Sequence, residues 1–268
     1  MSDRCAAFRS LHRPGRPLLL PNAWDHASGA ALAAAGYPAL GTTSLGVAAA
    51  SGKPDAEAAT AGETVRLAAL LARLPVLVTV DVEAGFADDP ASVADLVAEL
   101  AALGVVGVNL EDGRPDGTLD DPALVVAKVE AVKARTPEVF VNARTDGFWL
   151  GVPDAGAATL ARARAYRRAG ADGVFVPGVA EPGTIRGLAG EIDAPLNVLH
   201  QPGGPGLDAL GRLGVARVST GSLLFRAALA AVVRTAAAVR TGVDPDPGMP
   251  SYADVRRLTA GELGRPSE

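Results

Sequence analysis

Three carboxylates stand where two neighbouring apolar runs of the sequence end. Asp81 and Glu83 follow the run VLVTV, and Glu111 follows the run VVGVNL. Residues two apart on an extended chain point the same way, so the three side chains should converge. Carboxylates this close repel one another strongly unless a cation lies among them. Oxygen ligands of this kind suit Mg²⁺, with Mn²⁺ as an alternative, so the trio predicts a metal site. The other interpretation is that one or more of them pairs with Arg144 or caps a helix.

An arginine leaves the next apolar run, in the segment VNARTD. A guanidinium at that position can bind a substrate carboxylate through two parallel hydrogen bonds. It can also form ion pairs with Glu111 or Asp146, and the two roles are compatible. We therefore predict that Arg144 contacts the substrate.

Two further segments have ambiguous chemistry. The stretch GTTSLG, Gly41–Gly46, resembles an anion-binding turn made of small residues and backbone N–H groups, although many strand–helix loops have this composition. His200 either contacts the substrate or caps a flexible loop. Trp24, in PNAWD, is interpreted as a packing residue.

Several classes of function are excluded by what the sequence lacks. The only lysines are Lys53, Lys128 and Lys133, and none of them ends a predicted strand, so Schiff-base and pyridoxal phosphate chemistry lack their amine. Cys5 is the only cysteine, which excludes intrachain disulfides and thiolate metal sites. The net charge is -5 and the arginines are dispersed, so we expect no nucleic-acid partner. Without a signal peptide or a long apolar run, we expect no membrane partner and a cytoplasmic protein.

The elements that must position these residues alternate between short apolar strands and alanine-rich helices. The predicted strands are Pro17–Leu20, Ala39–Thr42, Val76–Val80, Val106–Leu110, Val139–Ala143, Gly173–Val176, Leu196–Leu199 and Ala216–Ser219. The predicted helices are His26–Ala35, Ala56–Ala72, Ser92–Leu103, Pro122–Arg135, Ala155–Ala169, Glu181–Gly190, Leu207–Leu213 and Leu223–Val239.

Continuous apolar strands are typical of a parallel sheet that is buried on both faces. Eight strand–helix units, and no G-x-G-x-x-G after the first strand, favour a (β/α)8 TIM-type barrel over a doubly wound sheet. We predict a barrel domain over residues 1–240 and a C-terminal extension over residues 241–268, in which Ser251–Leu263 forms one short helix. Polar residues gather at the carboxyl ends of the strands, where barrel enzymes place their active sites.

The motifs resemble those of the isocitrate lyase/phosphoenolpyruvate mutase superfamily, from about Leu18 to Val239. The matching segments are PNAWD, GTTSLG with SGKPD downstream, VTVDVEAGF, VGVNLEDG, VNARTD and ADGVFVPG. The resemblance implies a barrel, Mg²⁺ held by residues like Asp81, Glu83 and Glu111 partly through water, and a small carboxylate substrate. It also implies a homo-oligomer, a dimer or tetramer, in which the last barrel helix is exchanged between subunits.

The resemblance also assigns roles to individual residues. It implies that backbone N–H groups of Thr43, Ser44 and Leu45 hold a substrate oxygen. It also implies that Asp55 is a catalytic residue on a mobile loop and that Asn197 contacts the distal group of the substrate. Arg144 would clamp the substrate and, with Glu111, take part in catalysis, and Asp81 would contact the substrate as well as bind the metal. Ser222, which stands where some relatives have His or Asn, is predicted to bind the substrate, as is His200. The segment EDGRPDGTLDDP lacks the Lys and Cys of the K-K-C-G-H loop in the isocitrate and methylisocitrate lyases, and also the lysine-bearing loop of the phosphonomutases.

These features predict a Mg²⁺-dependent lyase or decarboxylase that cleaves a C–C bond of a 2-hydroxy or 2-oxo carboxylate through an enolate. The alternatives are C–P chemistry, as in a phosphoenolpyruvate or carboxyphosphonoenolpyruvate mutase or a hydrolase, and a catalytically silent metabolite-binding barrel. Residues between Thr43 and Glu57 are small and have no strand pattern, so we predict a mobile lid. The helix Leu223–Val239 is apolar on nearly every side, which predicts a contact with another subunit.

Overall fold

The computed structural model describes residues 1–244, 246 and 248–259, and its strands form one parallel sheet. The strands are β1 (Leu18–Leu20), β2 (Asn22–Ala23), β3 (Ala39–Thr42), β4 (Leu77–Asp81), β5 (Gly107–Glu111), β6 (Phe140–Arg144), β7 (Gly173–Val176), β8 (Leu196–Leu199) and β9 (Arg217–Ser219). Their order is β1-β9-β8-β7-β6-β5-β4-β3-β2. Together with the alternating helices this is a nearly closed TIM-type barrel, which confirms the predicted fold class.

Helices alternate with the strands and cover the outside of the barrel. They are α1 (Ser2–Ser10), α2 (His26–Ala34), α3 (Ser44–Ala50), α4 (Ala61–Leu71), α5 (Pro90–Leu103), α6 (Pro122–Arg135), α7 (Ala155–Arg168), α8 (Pro182–Glu191), α9 (Leu207–Arg212), α10 (Leu223–Arg240) and α11 (Tyr252–Thr259). Three of them start at an acidic cap followed by proline, as at Asp89, Asp121 and Glu181, whose carboxylates accept backbone N–H groups of the first turn.

The first barrel strand is divided at Pro21. On one side β1 pairs with β9, with Leu18 opposite Arg217, and on the other side β2 pairs with β3, with Asn22 opposite Gly41. Proline has no N–H group to donate to a neighbouring strand, so the ladder changes there. The predicted strand Pro17–Leu20 therefore covered only the first half of this element.

The N-terminal end of the barrel is closed by α1, an element that the sequence did not predict. Phe8 is fully buried in a cluster with Phe140, and the two rings meet edge to face with centroids 5.5 Å apart. Arg4 Nη2 donates to the carbonyl of Val76 at 2.8 Å, just before β4. The helix thus plugs the end of the barrel opposite the polar strand ends.

The segment predicted as a lid is partly helical, because α3 occupies Ser44–Ala50 and only the residues after it form an irregular loop. The predicted helix Ala56–Ala72 correspondingly begins later, at Ala61. The loop between α3 and α4 is anchored by Lys53, whose Nζ donates to the carbonyl of Ala59 at 2.9 Å. The segment is therefore a short helix followed by an anchored loop.

Two helices follow the last strand. Only Phe225 of α10 is buried, whereas Leu229, Val232, Val233 and Val239 are exposed. The next helix, α11, packs against α2, and residues 260–263 of the predicted Ser251–Leu263 helix lie outside the described residues. Within the described part of the chain, no helix combines the length and the hydropathy needed to cross a membrane.

Candidate active site

A cavity of about 190 Å³ opens at the carboxyl ends of the strands and brings most of the predicted site together. Of the residues singled out from the sequence, it is lined by Thr43, Ser44, Leu45, Asp55, Asp81, Glu111, Arg144 and Ser222. Its wall is completed by neutral residues that include Trp149, Phe175, Pro177 and Leu199. Arg144 is the only cationic side chain among the described residues that line it.

Arg144 lies between two carboxylates, so the alternative ion pairs are present and its contact with the substrate stays a prediction. Its Nη1 lies 2.6 Å from Glu111 Oε2, its partner across β5 and β6, and its Nε lies 2.7 Å from Asp146 Oδ1. Burial favours loss of the proton, but Glu111, Asp146 and Asp81 outweigh it and raise the pKa of Arg144. The guanidinium also lies over the ring of Phe175, 5.7 Å from its centroid. Arg144 therefore stays charged and fixed in place.

The carboxylates of Asp81 and Glu111 are buried close to each other, and both conditions disfavour their charged forms. Burial raises the pKa of Glu111 to about 8; Arg144 opposes this rise, and Asp81 adds to it. Burial also raises the pKa of Asp81, against the opposing effects of Arg144 and of the backbone N–H groups of Glu83 and Ser44. One guanidinium does not neutralise this group of carboxylates, so the cavity favours a further positive charge.

The carboxylate of Glu83 is bonded to the loop before α4, although Glu83 lines one cavity together with Glu111. Its backbone is left-handed, with φ of 50°, and its carboxylate accepts the hydroxyl of Thr60 at 2.9 Å and the N–H of Ala58 at 3.2 Å. Glu83 lines an adjoining cavity of about 500 Å³, which shares Glu111 with the first. Among the described residues, no three His, Cys, Asp or Glu side chains are grouped as a ready metal site. Glu83 thus holds the loop before α4, and its place among the metal ligands stays a prediction.

Asp55 lies at the cavity, on the loop that Glu83 and Lys53 hold. Its Oδ1 is buried and has no hydrogen-bond partner in the described structure. A buried carboxylate oxygen without a partner is costly, so it is expected to face a ligand, a proton or a cation.

The predicted backbone donors are not equivalent. The N–H of Thr43 donates to the carbonyl of Ala23 at 3.2 Å and is therefore already used. Ser44 and Leu45 belong to the first turn of α3, where N–H groups have no partner within the helix. The N–H of Ser44 is directed toward the Asp81 carboxylate, so this turn faces the cavity and can donate to a ligand oxygen there.

Two predicted residues lie outside the cavity. Asn197 is buried behind its wall, where its side chain exchanges hydrogen bonds with Ser219 Oγ at 3.1 and 3.2 Å. His200 lines a separate, mainly apolar cavity of about 330 Å³ beside Tyr37 and Leu207. Trp24 packs edge to face on Phe225, with ring centroids 5.4 Å apart, which confirms its packing role.

Adjacent residues of a strand point to opposite faces, so Glu111 and Asp112 have different surroundings. Asp112 faces the helices, where it accepts Tyr166 Oη at 2.7 Å, Arg162 Nη1 at 3.1 Å and the N–H of Asp146 at 2.9 Å. It is fully buried and fully used. Asp112 is therefore a structural residue that fixes the loop carrying Asp146.

Sequence reasoning assigned no role to three polar residues of the barrel interior. Asn22 ties two loops of the mouth together, because it donates to the carbonyl of Thr42 at 2.7 Å and accepts the N–H of Gly221 at 2.9 Å. Asn109 lines the cavity, and Arg217 is wholly buried beneath it. The available signals were an asparagine directly after the first strand and a lone charge inside the apolar run VARVS.

The family model of phosphoenolpyruvate phosphomutase matches residues 8–240. The match covers most of the chain, and the chain therefore belongs to this family. The resemblance inferred from the sequence motifs is confirmed.

Relatives within this family differ in the reactions assigned to them. Rv1998c of Mycobacterium tuberculosis is 46% identical over 250 residues, covering 93% of this chain and 95% of that protein, and it carries no assigned activity. A solved structure from Burkholderia cenocepacia, assigned to the phosphonomutases, is 40% identical with a TM-score of 0.81, covering 87% of this chain and 99% of that one. An oxaloacetate decarboxylase of Ectopseudomonas mendocina is 34% identical over 195 residues, covering 67% of this chain and 64% of that protein.

Other matches extend this range. They include 2-methylisocitrate lyases and, at 21% identity and a TM-score of 0.84, a phosphonopyruvate hydrolase solved with oxalate and Mg²⁺, which shares the fold. The matched proteins thus include lyases, a decarboxylase and phosphonate enzymes.

Proposed function

We propose that the protein is a Mg²⁺-dependent lyase or decarboxylase that cleaves a C–C bond of a small 2-hydroxy or 2-oxo carboxylate through an enolate. One observation carries the proposal: Asp81, Glu111 and Arg144 line one cavity together with the first turn of α3. This combination offers oxygen ligands, a carboxylate-binding cation and backbone donors within one small space.

The residues of the cavity fit a divalent cation. Carboxylates outnumber the guanidinium, burial and mutual repulsion raise the pKa of Glu111, and Asp55 Oδ1 lacks a partner. We propose that Asp81 and Glu111 hold Mg²⁺, or Mn²⁺, with Glu83 contributing through water. The bound ion would supply a Lewis acid that stabilises negative charge on a substrate oxygen.

The chain's own residues then divide the remaining work. Arg144, fixed by Glu111 and Asp146, orients the substrate carboxylate with the guanidinium edge that faces the cavity. The N–H groups of Ser44 and Leu45 stabilise the oxygen on which negative charge develops. Asp55 is placed to deliver a proton to the enolate carbon that remains after cleavage. No cysteine or lysine side chain among the described residues lines this cavity, so a carboxylate or water must deliver that proton.

The wall of the cavity favours C–C cleavage. Trp149, Phe175, Pro177 and Leu199 offer no charge to a second anionic group. A fragment that leaves as a neutral molecule, such as CO₂ or an aldehyde, is suited to such a surface. This supports a decarboxylase or lyase over an enzyme that releases a highly charged product.

A screen of 2-oxo and 2-hydroxy di- and tricarboxylates with Mg²⁺, read out as pyruvate or 2-oxo acid release, tests the proposal. We expect turnover of at least one such acid and loss of turnover with a chelator. If no member of the panel reacts, with or without Mg²⁺ or Mn²⁺, the proposed reaction is wrong.

The second candidate is C–P chemistry, which the similarity to the Burkholderia cenocepacia phosphonomutase favours. A phosphonate carries more charge than a carboxylate and needs cations. Arg114 is the one cation lining the adjoining cavity in the described residues, and it already pairs with Asp120 at 2.9 Å. Adding phosphonopyruvate to the substrate panel separates the two candidates, since its conversion without reaction of the carboxylates would select this one.

We also propose a homo-oligomer in which α10 packs on, and is exchanged with, another subunit. Val232 and Val233 are 65% and 69% exposed, which leaves an apolar helix face in water. Light scattering at micromolar concentration should give a dimer or tetramer, and Val233→Glu should shift it toward monomer. An unchanged protein that is entirely monomeric would contradict this assembly.

A further inference from the structure

The side-chain amide of Asn109 has a fixed orientation at the floor of the cavity. Its Oδ1 accepts Asn142 Nδ2 at 2.9 Å and Arg217 Nη2 at 3.2 Å. A guanidinium has donors only, so the atom of Asn109 that faces Arg217 must be the oxygen. The opposite assignment would set N–H against N–H, which removes the usual ambiguity of an amide.

The nitrogen of the same amide is consequently directed elsewhere. Asn109 lines the cavity, and its partner in the β4–β5 register is Asp81, one of the carboxylates proposed to bind the metal. Within the described residues, Nδ2 makes no hydrogen bond, yet it is not among the fully buried polar atoms that lack a partner. An amide nitrogen that is free and reaches the cavity is a donor available to a ligand.

The orientation is maintained at a cost to stability. Arg217 is completely buried, and burial lowers its pKa to about 9, although Asp81 opposes the shift. Its direct partners are neutral: Asn109 Oδ1 and, through Nε at 3.1 Å, Ser219 Oγ; Nη1 has none in the described structure. A buried charge without a contacting counterion destabilises a fold. An apolar side chain would fill the interior without that cost, so a functional reason for the arginine is expected.

We propose that Asn109 Nδ2 donates a hydrogen bond to a carboxylate or carbonyl oxygen of the substrate, and that Arg217 and Asn142 are positioning residues for this amide. The proposal rests on the proposed function, which supplies an oxygen-rich substrate. It adds a neutral donor to the N–H groups of Ser44 and Leu45 that line the same cavity. Substrate oxygens would then be bound by additional donors without additional charge.

Calorimetric titration of the full chain with Mg²⁺ and oxalate, a small dicarboxylate, tests the role of Asn109. Asn109→Ala should raise the Kd of oxalate roughly tenfold or more, the usual effect of losing a hydrogen bond to a charged group. Thr79→Val is the matched control. Like Asn109, Thr79 is a polar residue in the barrel interior, but its Oγ1 is buried without a partner and Thr79 does not line the cavity. It should keep the unchanged protein's Kd within about twofold.

Arg217→Gln should weaken oxalate binding in the unchanged background but add little in the Asn109→Ala background, because a positioning residue acts only through the group it positions. If Arg217→Gln does not fold, Asn142→Ala gives the same cycle. A crystal structure of the complex should place Nδ2 within hydrogen-bond distance of an oxalate oxygen.

The outcomes separate this inference from the proposed function. If the unchanged protein binds oxalate with Mg²⁺ and Asn109→Ala binds it equally well, the role of Asn109 is wrong while the proposed function stands. Additive losses in the double variant would overturn the positioning role of Arg217. If the unchanged protein does not bind oxalate but converts an acid of the substrate panel, the inference fails while the proposed function stands; if it does neither, both fail.

Discussion

Each end of the barrel contains a cluster of ion pairs, and the two clusters differ in their ratio of cations to carboxylates. At the N-terminal end, the carboxylate of Asp172 accepts Arg9 Nη2 at 2.8 Å, Lys133 Nζ at 2.9 Å and the N–H of Val141 at 2.9 Å. At the carboxyl end, the one guanidinium of Arg144 lies between Glu111 and Asp146. Two cations share one carboxylate in the first cluster, and two carboxylates share one cation in the second. The first arrangement satisfies its anion completely, whereas the second leaves negative charge for a ligand to neutralise.

The two ends of the barrel also differ in which residues adopt a left-handed backbone conformation. At the N-terminal end, turns from helix to strand use glycine for left-handed positions, as at Gly104 and Gly170. At the carboxyl end, Ala58, Glu83 and Phe86 adopt positive φ despite their side chains. Each such residue costs on the order of 1 kcal/mol. The comparison indicates that the carboxyl end gives up stability to hold its side chains in position.

The largest expected effect comes from Asp81→Asn. The change removes a proposed metal ligand, so kcat/KM should fall about a thousandfold or more and Mg²⁺ should bind more weakly. Because burial raises the pKa of Asp81, the fold favours the neutral side chain. The metal-free variant should therefore melt at a higher temperature than the unchanged protein. A variant that is less stable and fully active would contradict the view that charge at this end serves function.

Asp55→Ala should have the next largest effect. Loss of a group that transfers protons lowers kcat by roughly a hundredfold, while Mg²⁺ affinity stays nearly unchanged. Glu57→Ala is the matched control, because Glu57 lies on the same loop and lines the adjoining cavity. Steady-state kinetics with the substrate from the screen gives both values. If Asp55→Ala retains full turnover, Asp55 only anchors the loop.

The sequence predicted the residues whose direction follows from the strand alone. Asp81, Glu111 and Arg144 end successive parallel strands, and the geometry of a barrel brings such positions to one mouth. Glu83 has the correct spacing but a left-handed backbone, which an extended-chain argument cannot anticipate. Asn197 and His200 also come from a strand end, yet the packing of Ser219 and of the loop after β8 decides what they face.

Two elements were beyond the reach of sequence pattern. Helix α1 has no continuous apolar stripe, and it is held by the burial of Phe8 and by contacts such as that of Arg4 with Val76. Arg217 lies in a strand whose sequence does not show which face is buried, and its partners are distant in the chain. Both depend on tertiary contacts, which override local pattern.

Asp172→Ala tests the N-terminal end of the comparison. It should lower the free energy of unfolding by about 2 kcal/mol, because Lys133, Arg9 and the N–H of Val141 lose their shared acceptor. The kcat of the folded protein should not change. Asp193→Ala, an exposed carboxylate at the same end, is the control and should be nearly neutral. Chemical denaturation measures the stability difference, and a matching loss of kcat would show that the two ends are coupled.

The smallest expected effect is a pH dependence at His12. The ring stacks on Phe140 with centroids 4.3 Å apart, and its Nδ1 lies 2.9 Å from the carbonyl of Phe8. A carbonyl only accepts, so Nδ1 carries the proton of the neutral ring and Nε2 is left buried without a partner. Burial, followed by the charge of Arg217, lowers the pKa of His12 to about 3.

The sign of the effect follows from which state binds the proton. Below about pH 6.5 the unfolded chain binds a proton at His12 while the folded chain does not. The free energy of unfolding therefore decreases as the pH is lowered from about 6.5 to about 3. Between pH 7 and pH 5.5 this loss should be about 1 kcal/mol. It should disappear in His12→Phe, which keeps a stacked ring but cannot titrate. Denaturant unfolding of both proteins at the two pH values gives the difference directly. If the two proteins lose equal stability on acidification, the folded protein accommodates a charged His12, and the N-terminal end is less closed to water and protons than its packing indicates.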